Sequence, residues 1–293
     1  MPLNELWERA RDTVHPAAIR FRRFLRSLPL DLESLPDPLP DLGPDEFIIC
    51  GCPRTGTSLL AALLFQPPHV VTVVEPWDGL RMPPTELFRS LRDEITSTGA
   101  LSRGTLDIPS LRQAHTVRRV AEGSGAAPVP TSPGWQLGVK WPAYFQLIPR
   151  MPNTRFLVCL RDPSDTVASF KAIGGAVRRG YEYDVAFNRA LNRKVRESAT
   201  SAAQRRAALY GVVHEQLASA VSRPNVLTVR YERWFSDRDR QWFEIGEFLG
   251  LDLEPIAVPL KNDPKRVLLD AADLDAIRRR CTIARELGYA LPT

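Results

Sequence analysis

The sequence predicts an α/β fold: a P-loop-like, doubly wound parallel sheet flanked by helices, with helical insertions outside the sheet. Three observations predict it. Five short runs are rich in β-branched residues: Phe47–Cys50, Val70–Val74, Leu137–Lys140, Arg155–Leu160 and Val226–Tyr231. Most are apolar on both faces, as parallel strands buried between helices are. Helical stretches separate them, and that alternation builds a sheet with crossover helices. The first run passes through a glycine turn straight into a leucine-rich helix, an arrangement whose free N–H groups and helix dipole favour a phosphate.

Composition bounds the class. A chain of 293 residues, 44% hydrophobic and 25% charged, suits a soluble globular protein of one large domain or of a domain with a helical insertion. The net charge of +5 fits an anionic ligand but is too small to argue for nucleic acid. Four cysteines stand at Cys50, Cys52, Cys159 and Cys281, two of them inside apolar runs. The spacing Cys50-Gly51-Cys52 is not a metal knuckle, so neither a metal site nor a disulfide framework is expected. There is no secretory h-region and no apolar run of membrane-spanning length. A cytoplasmic location is the expectation.

In chain order, residues 1–28 read as a basic helical arm, with Leu6, Trp7, Phe21 and Phe24 among Arg9, Arg11, Arg20 and Arg22. Packing on the domain, or on a second subunit to give a homo-oligomer, is its expected role. Residues 29–44 hold five prolines and read as an extended linker. The main domain is expected over 45–293. Between the second and third strands, helices are expected at Thr85–Thr96 and Leu111–Glu122, followed by a Gly/Ala/Pro loop from Gly123 to Gly134. A second variable stretch runs from Gly174 to Tyr183. Insertions at a ligand-bearing edge often form an acceptor pocket or a lid.

The loop after the first strand has the glycine spacing of a nucleotide P-loop, Gly51 and Gly56, and Ser58 takes the hydroxyl position. Thr57, however, stands where the lysine for a triphosphate would be. Arg54 is the cation inside the loop. In a doubly wound sheet the ligand lies beyond the C-terminal strand ends, so the residue after each strand matters. Glu75 follows the second strand and is a general-base candidate. Lys140 ends the third and brings a cation to the same edge. Arg161 follows the fourth, with Asp162 and Pro163 as cap and first turn of a helix. Ser169, two turns on, can face the same ligand as Arg161. Two anion sites on adjacent strand ends call for a ligand with two separate phosphates.

These residues resemble a known family. The loop Pro53-Arg-Thr-Gly-Thr-Ser-Leu-Leu60, the strand Gly138-Val-Lys140, the run Arg161-Asp-Pro-Ser with Ser169, the strand Val229-Arg-Tyr-Glu232 and the run Glu247-Phe-Leu-Gly-Leu251 look like a sulfotransferase, in the family's order. The resemblance spans roughly Phe47 to Leu291. The arginine loop with Glu75 is closest in style to bacterial and tyrosylprotein sulfotransferases. The resemblance implies 3′-phosphoadenosine 5′-phosphosulfate as donor and no metal. It implies that Arg54, Thr55, Gly56, Thr57 and Ser58 bind the 5′-phosphosulfate, that Arg161 and Ser169 hold the 3′-phosphate, and that Tyr231 lies near the adenine. Glu75, Arg54 and Lys140 are then the catalytic set. Pro142 occupies the position where the small-molecule type carries a base histidine. The family's Arg-Lys-Gly element is missing near the C-terminus, where Lys261, Lys265 and Arg266 stand in its region.

The implied reaction is sulfonate transfer to an acceptor hydroxyl, with a lipid, sugar or natural product expected. A tyrosyl peptide and, further off, a P-loop kinase reaction are the alternatives. Trp77, Trp135, Trp141, Tyr144, Phe145, Tyr181 and Tyr183 are candidate linings of an apolar acceptor pocket.

Overall fold

The computed structural model describes residues 23–24, 27–102, 105–106, 118–119, 127–129, 131–173, 175–257, 259–260, 262 and 265–293. Strand β1, Glu46–Gly51, is buried on both faces except at its first residue. Its side chains alternate. Phe47 and Ile49 join one hydrophobic cluster, and Ile48 and Cys50 join the other. Each such side chain contributes about 1.5–3 kcal/mol by leaving water, so both faces hold the strand in place.

The remaining strands are β2 (Val70–Val74), β3 (Ala100–Leu101), β4 (Thr105–Leu106), β5 (Arg118–Arg119), β6 (Ala127–Pro128), β7 (Gln136–Lys140), β8 (Arg155–Leu160) and β9 (Val226–Arg230). Seven form one sheet in the order β5-β4-β2-β7-β1-β8-β9. The five from β2 to β9 are mutually parallel, as predicted. β4 and β5 add antiparallel strands at the β2 edge. β3 and β6 pair separately.

Helices cover both faces. On one, α1 (Thr57–Leu63) packs with the Trp242, Ile245 and Leu249 side of a C-terminal helix. The other is covered by α2 (Pro84–Thr98), α3 (Pro163–Ala172), α4 (Arg189–Ser198), α5 (Ala202–Ala218) and, later in the chain, Ala271–Arg280. Asp162 caps α3 by accepting from the Ser164 and Asp165 amides, and Pro163 opens its first turn.

Three expectations change. The expected helix Leu111–Glu122 lies mostly outside the described residues, and the part described, Arg118–Arg119, is an edge strand on β4. Part of the expected loop after it, Ala127–Pro128, pairs with β3. Residues 29–44 do not act as a free spacer. Leu30 and Leu39 are buried, the Leu39 amide donates to Arg150 O, and Arg150 donates to the Leu32 and Leu35 carbonyls. Asp41 accepts from the Asn153 and Thr154 amides. The segment makes one 3-10 turn at Leu32–Ser34, and its leucines and Asp41 bind it to the domain as a strap. The arm at 1–28 lies outside the described residues apart from 23–24 and 27–28.

Candidate functional site

The strand order sets the site. The chain leaves β1 toward β2 on one side of the sheet and leaves β8 toward β9 on the other. The crevice between the ends of β1 and β8 is the switch point where doubly wound sheets bind ligands. Arg54 follows β1 into this crevice, and Arg161 follows β8.

Close packing shapes the loop after β1. A Cβ on Gly51 would lie 2.5 Å from Cys159 O, and one on Gly56 would lie 2.8 Å from the Tyr231 ring. Gly51 has φ 141° and Gly56 has φ 102°, so glycine is required at both on two counts. Thr55 closes the turn by donating its hydroxyl to Cys52 O at 2.6 Å. Gly56 caps α1 without any side-chain hydrogen bond. The first turn of the helix, with Thr57 and Ser58, is thus left open to a ligand.

Arg161 is buried, and its guanidinium lies 3.9 Å over the Tyr231 ring. It donates to Arg54 O at 3.2 Å, while its Nε is buried with no partner. The Tyr210 hydroxyl donates to Arg161 O and fixes that backbone from beneath. Arg54 donates from Nε to Ser169 Oγ at 3.1 Å. Arg54 opens to solvent at the mouth, yet the protein around its guanidinium and the like charge of Arg161 both lower its pKa. Among the described residues no carboxylate pairs with either arginine. Two adjacent cations, a buried unpartnered N–H and an uncapped helix start fit a ligand carrying phosphate groups.

Glu75 and Lys140 meet beside this crevice. Their strands run side by side, Val74 against Lys140, and the Glu75 amide donates to Lys140 O. Lys140, only 3% exposed, donates from Nζ to Glu75 Oε1. Among the described residues, Arg54 (φ 70°) and Glu75 (φ 47°) are the non-glycine residues with positive φ. Each costs about 1–3 kcal/mol, and both belong to this site.

The sequence reading missed a second carboxyl group. Glu182 lies in the second variable stretch, Gly174 to Tyr183, yet it is buried. Burial, with the charge of Glu75 adding, raises its pKa to about 7 against the opposing Tyr183 N–H and Lys140. Nothing periodic marks residues 181–185. Two tyrosines flanking a glutamate were the available sign.

Of the predicted residues, Arg54, Thr55, Gly56, Thr57, Ser58, Arg161, Ser169 and Tyr231 gather at the β1–β8 crevice, with Glu75 and Lys140 beside it. Tyr231 is buried as the floor beneath Arg161 and against Gly56, so that face of its ring is not open for adenine to stack on. Arg266 is tied to Asp165 at 2.6 and 3.0 Å and to Asp162 at 3.1 Å. Lys261 lies outside the described residues. Trp135 sits at the opposite end of the sheet under Arg92, and Trp141, Tyr144 and Phe145 are core. Trp77, Tyr181 and Tyr183 keep partial exposure. Among the described residues no group of His, Cys, Asp or Glu is placed to hold a metal, and no helix is long and apolar enough to cross a membrane.

A family model described as the Sulfotransferase family matches residues 45–255. No curated protein matches the chain. Solved structures similar to it include the sulfotransferase domain of the Synechococcus PCC 7002 olefin synthase, at 15% identity and TM-score 0.44, covering 88% of this chain and 98% of that one. A sulfotransferase from Alicyclobacillus acidocaldarius has 15% identity and TM-score 0.43, with 84% and 96% covered. A mouse sulfotransferase complexed with PAP has 15% identity and TM-score 0.37, with 82% of this chain and 65% of that one covered.

Proposed function

Because the chain belongs to the sulfotransferase family, we propose that it moves a sulfonate group from 3′-phosphoadenosine 5′-phosphosulfate to the hydroxyl of a small molecule, with Glu75 as general base. One observation carries this reading. At the ends of neighbouring strands, Arg54 and Arg161 lie together with no carboxylate in ion-pair contact among the described residues, and the Glu75–Lys140 pair stands beside them with the charge of Glu75 bearing on Arg54.

The donor, when bound, supplies a sulfonate on a phosphate leaving group. The open first turn of α1, Thr57, Ser58 and Arg54 would hold its 5′ end, and Arg161 with Ser169 its 3′-phosphate. The buried Nε of Arg161 gains its missing partner from such an anion. Glu75 takes the proton from the acceptor hydroxyl. Lys140 and Arg54 stand ready for the negative charge that grows on the leaving oxygen, and their positions are set in advance by the strand ends. Thr57 in the lysine position of the P-loop speaks against a triphosphate donor. Trp77, Tyr181 and Tyr183 border the acceptor side and suit an apolar hydroxylated molecule.

Thermal-shift assays with adenosine 3′,5′-bisphosphate and with Mg·ATP test the donor. Stabilisation by the bisphosphate alone is expected, and stabilisation by Mg·ATP alone would return the kinase reading. Incubating the protein with labelled donor and a cell extract, followed by product mass spectrometry, identifies the acceptor. A sulfated small molecule supports the proposal, whereas labelled tyrosyl peptides would replace that half of it.

A further inference from the structure

A basic rim borders the acceptor side, and contacts between neighbours trace it as one continuous surface. Phe24 packs edge-on against Trp77 at 5.7 Å, and the Arg81 guanidinium lies 5.6 Å over the Phe24 ring. Trp77, two residues past Glu75, packs against Tyr183 at 5.6 Å. Tyr181 carries Arg205 at 5.5 Å and Arg196 at 5.9 Å. Arg205 also donates to Arg179 O at 3.1 Å, which brings in the exposed Arg178 and Arg179. Arg196 belongs to α4, where the spacing of Arg189, Arg193 and Arg196 puts all three on one helix face. Arg189 pairs with Asp31 at 3.0 Å, and Arg193 with Glu33 at 3.7 Å. Those two acids stand in the strap that begins just after Phe24, so the rim closes on itself.

The rim is positive beyond its internal pairs. Asp31, Glu33 and Asp78 answer Arg189, Arg193 and Arg81. Arg23, Arg178 and Arg196 are exposed, and among the described residues none of them has a carboxylate partner. Against these and Arg179 stand the exposed Asp184 and Glu197, which leaves a net positive charge. The chain before Phe24 extends the same chemistry. Between Thr13 and Leu30 it holds Arg20, Arg22, Arg23 and Arg26 and no acid, interleaved with Ile19, Phe21, Phe24 and Leu25. Ser27 donates its hydroxyl to Phe24 O at 2.7 Å, and the buried Leu28 and Leu30 anchor the segment. The basic segment therefore joins the domain at Trp77.

We propose that this face docks on an anionic lipid bilayer with the acceptor side turned to the membrane, and that the acceptor is a hydroxyl-bearing lipid. The second half rests on the proposed sulfonate transfer, and the docking does not. Clustered arginines are drawn to the negative potential of a lipid surface. Indole and phenol rings suit the boundary between headgroups and water, and Trp77, Tyr181 and Tyr183 are partly exposed within this rim. Arginines interleaved with large apolar residues, as between Ile19 and Arg26, are the composition of segments that lie in that boundary. A nucleic acid would use the arginines and leave the apolar residues unburied. In the reaction the lipid hydroxyl oxygen bonds to sulfur and its proton passes to Glu75. The bond from sulfur to the bridging oxygen breaks, and that oxygen leaves with the bisphosphate.

Co-sedimentation of the full chain with vesicles tests the docking. Binding is expected to phosphatidylcholine and phosphatidylserine mixed at roughly 3:1, to fade at high salt, and to be absent with phosphatidylcholine alone. The triple variant Arg23→Gln, Arg178→Gln, Arg196→Gln should bind those vesicles roughly 100-fold more weakly, with adenosine 3′,5′-bisphosphate binding by calorimetry unchanged. Arg23→Gln alone should lose several-fold, which keeps the test open if the triple variant does not fold. Equal binding to both kinds of vesicle, equal binding by variant and wild type, or capture by RNA without capture by vesicles overturns the proposal. So does a dimer in solution that the triple variant dissociates, since a second copy then covers the face. Labelled donor incubated with the protein and either washed membranes or the soluble fraction reads the second half, with label expected in chloroform-extractable lipid. Vesicle binding with no label on any acceptor removes the sulfotransferase reading and leaves the docking. Label on a soluble acceptor only, beside intact vesicle binding, removes the lipid acceptor.

Discussion

Two pairs of arginines, one at each end of the same sheet, are held in opposite ways. At the end where the strands begin, Arg92 donates to Glu46 and to the carbonyls of Asp45 and Trp135, and stacks 4.4 Å over the Trp135 ring. Arg155 donates to the carbonyls of Leu249 and Pro44 and to the side chain of Gln136. At the end where the strands finish, Arg54 and Arg161 lie against each other without a carboxylate, one N–H has no partner, and the backbone at Arg54 is strained. Satisfied arginines fasten strands to neighbouring loops. Unsatisfied ones store a demand that a bound anion meets. The contrast locates the site without reference to any ligand.

The strongest way to break the comparison is at the strained carboxylate. Glu75→Gln should lower turnover by about 10²- to 10⁴-fold, with bisphosphate binding by calorimetry nearly unchanged. Normal turnover would leave the strain at Glu75 without a purpose. Next, Arg161→Met should weaken bisphosphate binding by about 1.5–3 kcal/mol while moving the denaturant midpoint little. Arg155→Met should do the reverse, costing about 2–3 kcal/mol of stability and leaving bisphosphate affinity alone. If those two variants swap their effects, the division between the ends fails. The smallest expected effect sharpens the contrast. Arg54→Gly relieves a left-handed arginine and its repulsion with Arg161, so stability should rise by about 1 kcal/mol as bisphosphate binding is lost. A fall in the melting temperature would show that Arg54 serves the fold.

The parallel core was legible because burial on both faces writes long apolar runs into the chain, and Val70–Val74 and Arg155–Leu160 carry them whole. The strand-end residues were legible for the same reason: once a strand is placed, the topology dictates where the next residue goes. The antiparallel edge was not legible, because two-residue strands such as Arg118–Arg119 are too short to hold any pattern. Glu182 was hidden by distance. It lies more than a hundred residues downstream of Glu75, and its backbone is held by Asn192 side-chain bonds that leave no periodic trace. The strap at residues 29–44 was misread because prolines report extension equally in a free tether and in a segment bound along a surface.

The ring contacts running from Trp77 to Trp141 and Tyr183 have a practical consequence. They form an optical gauge built into the chemistry. One indole lies two residues from Glu75, the other directly follows Lys140, and a phenol sits beside Glu182. Any molecule that enters next to Glu75 changes the polarity around Trp77, which is partly exposed, while Trp141 stays shielded. Acceptors can therefore be screened by the protein's own emission, unlabelled and before any turnover, with Trp77→Phe as the silent reference.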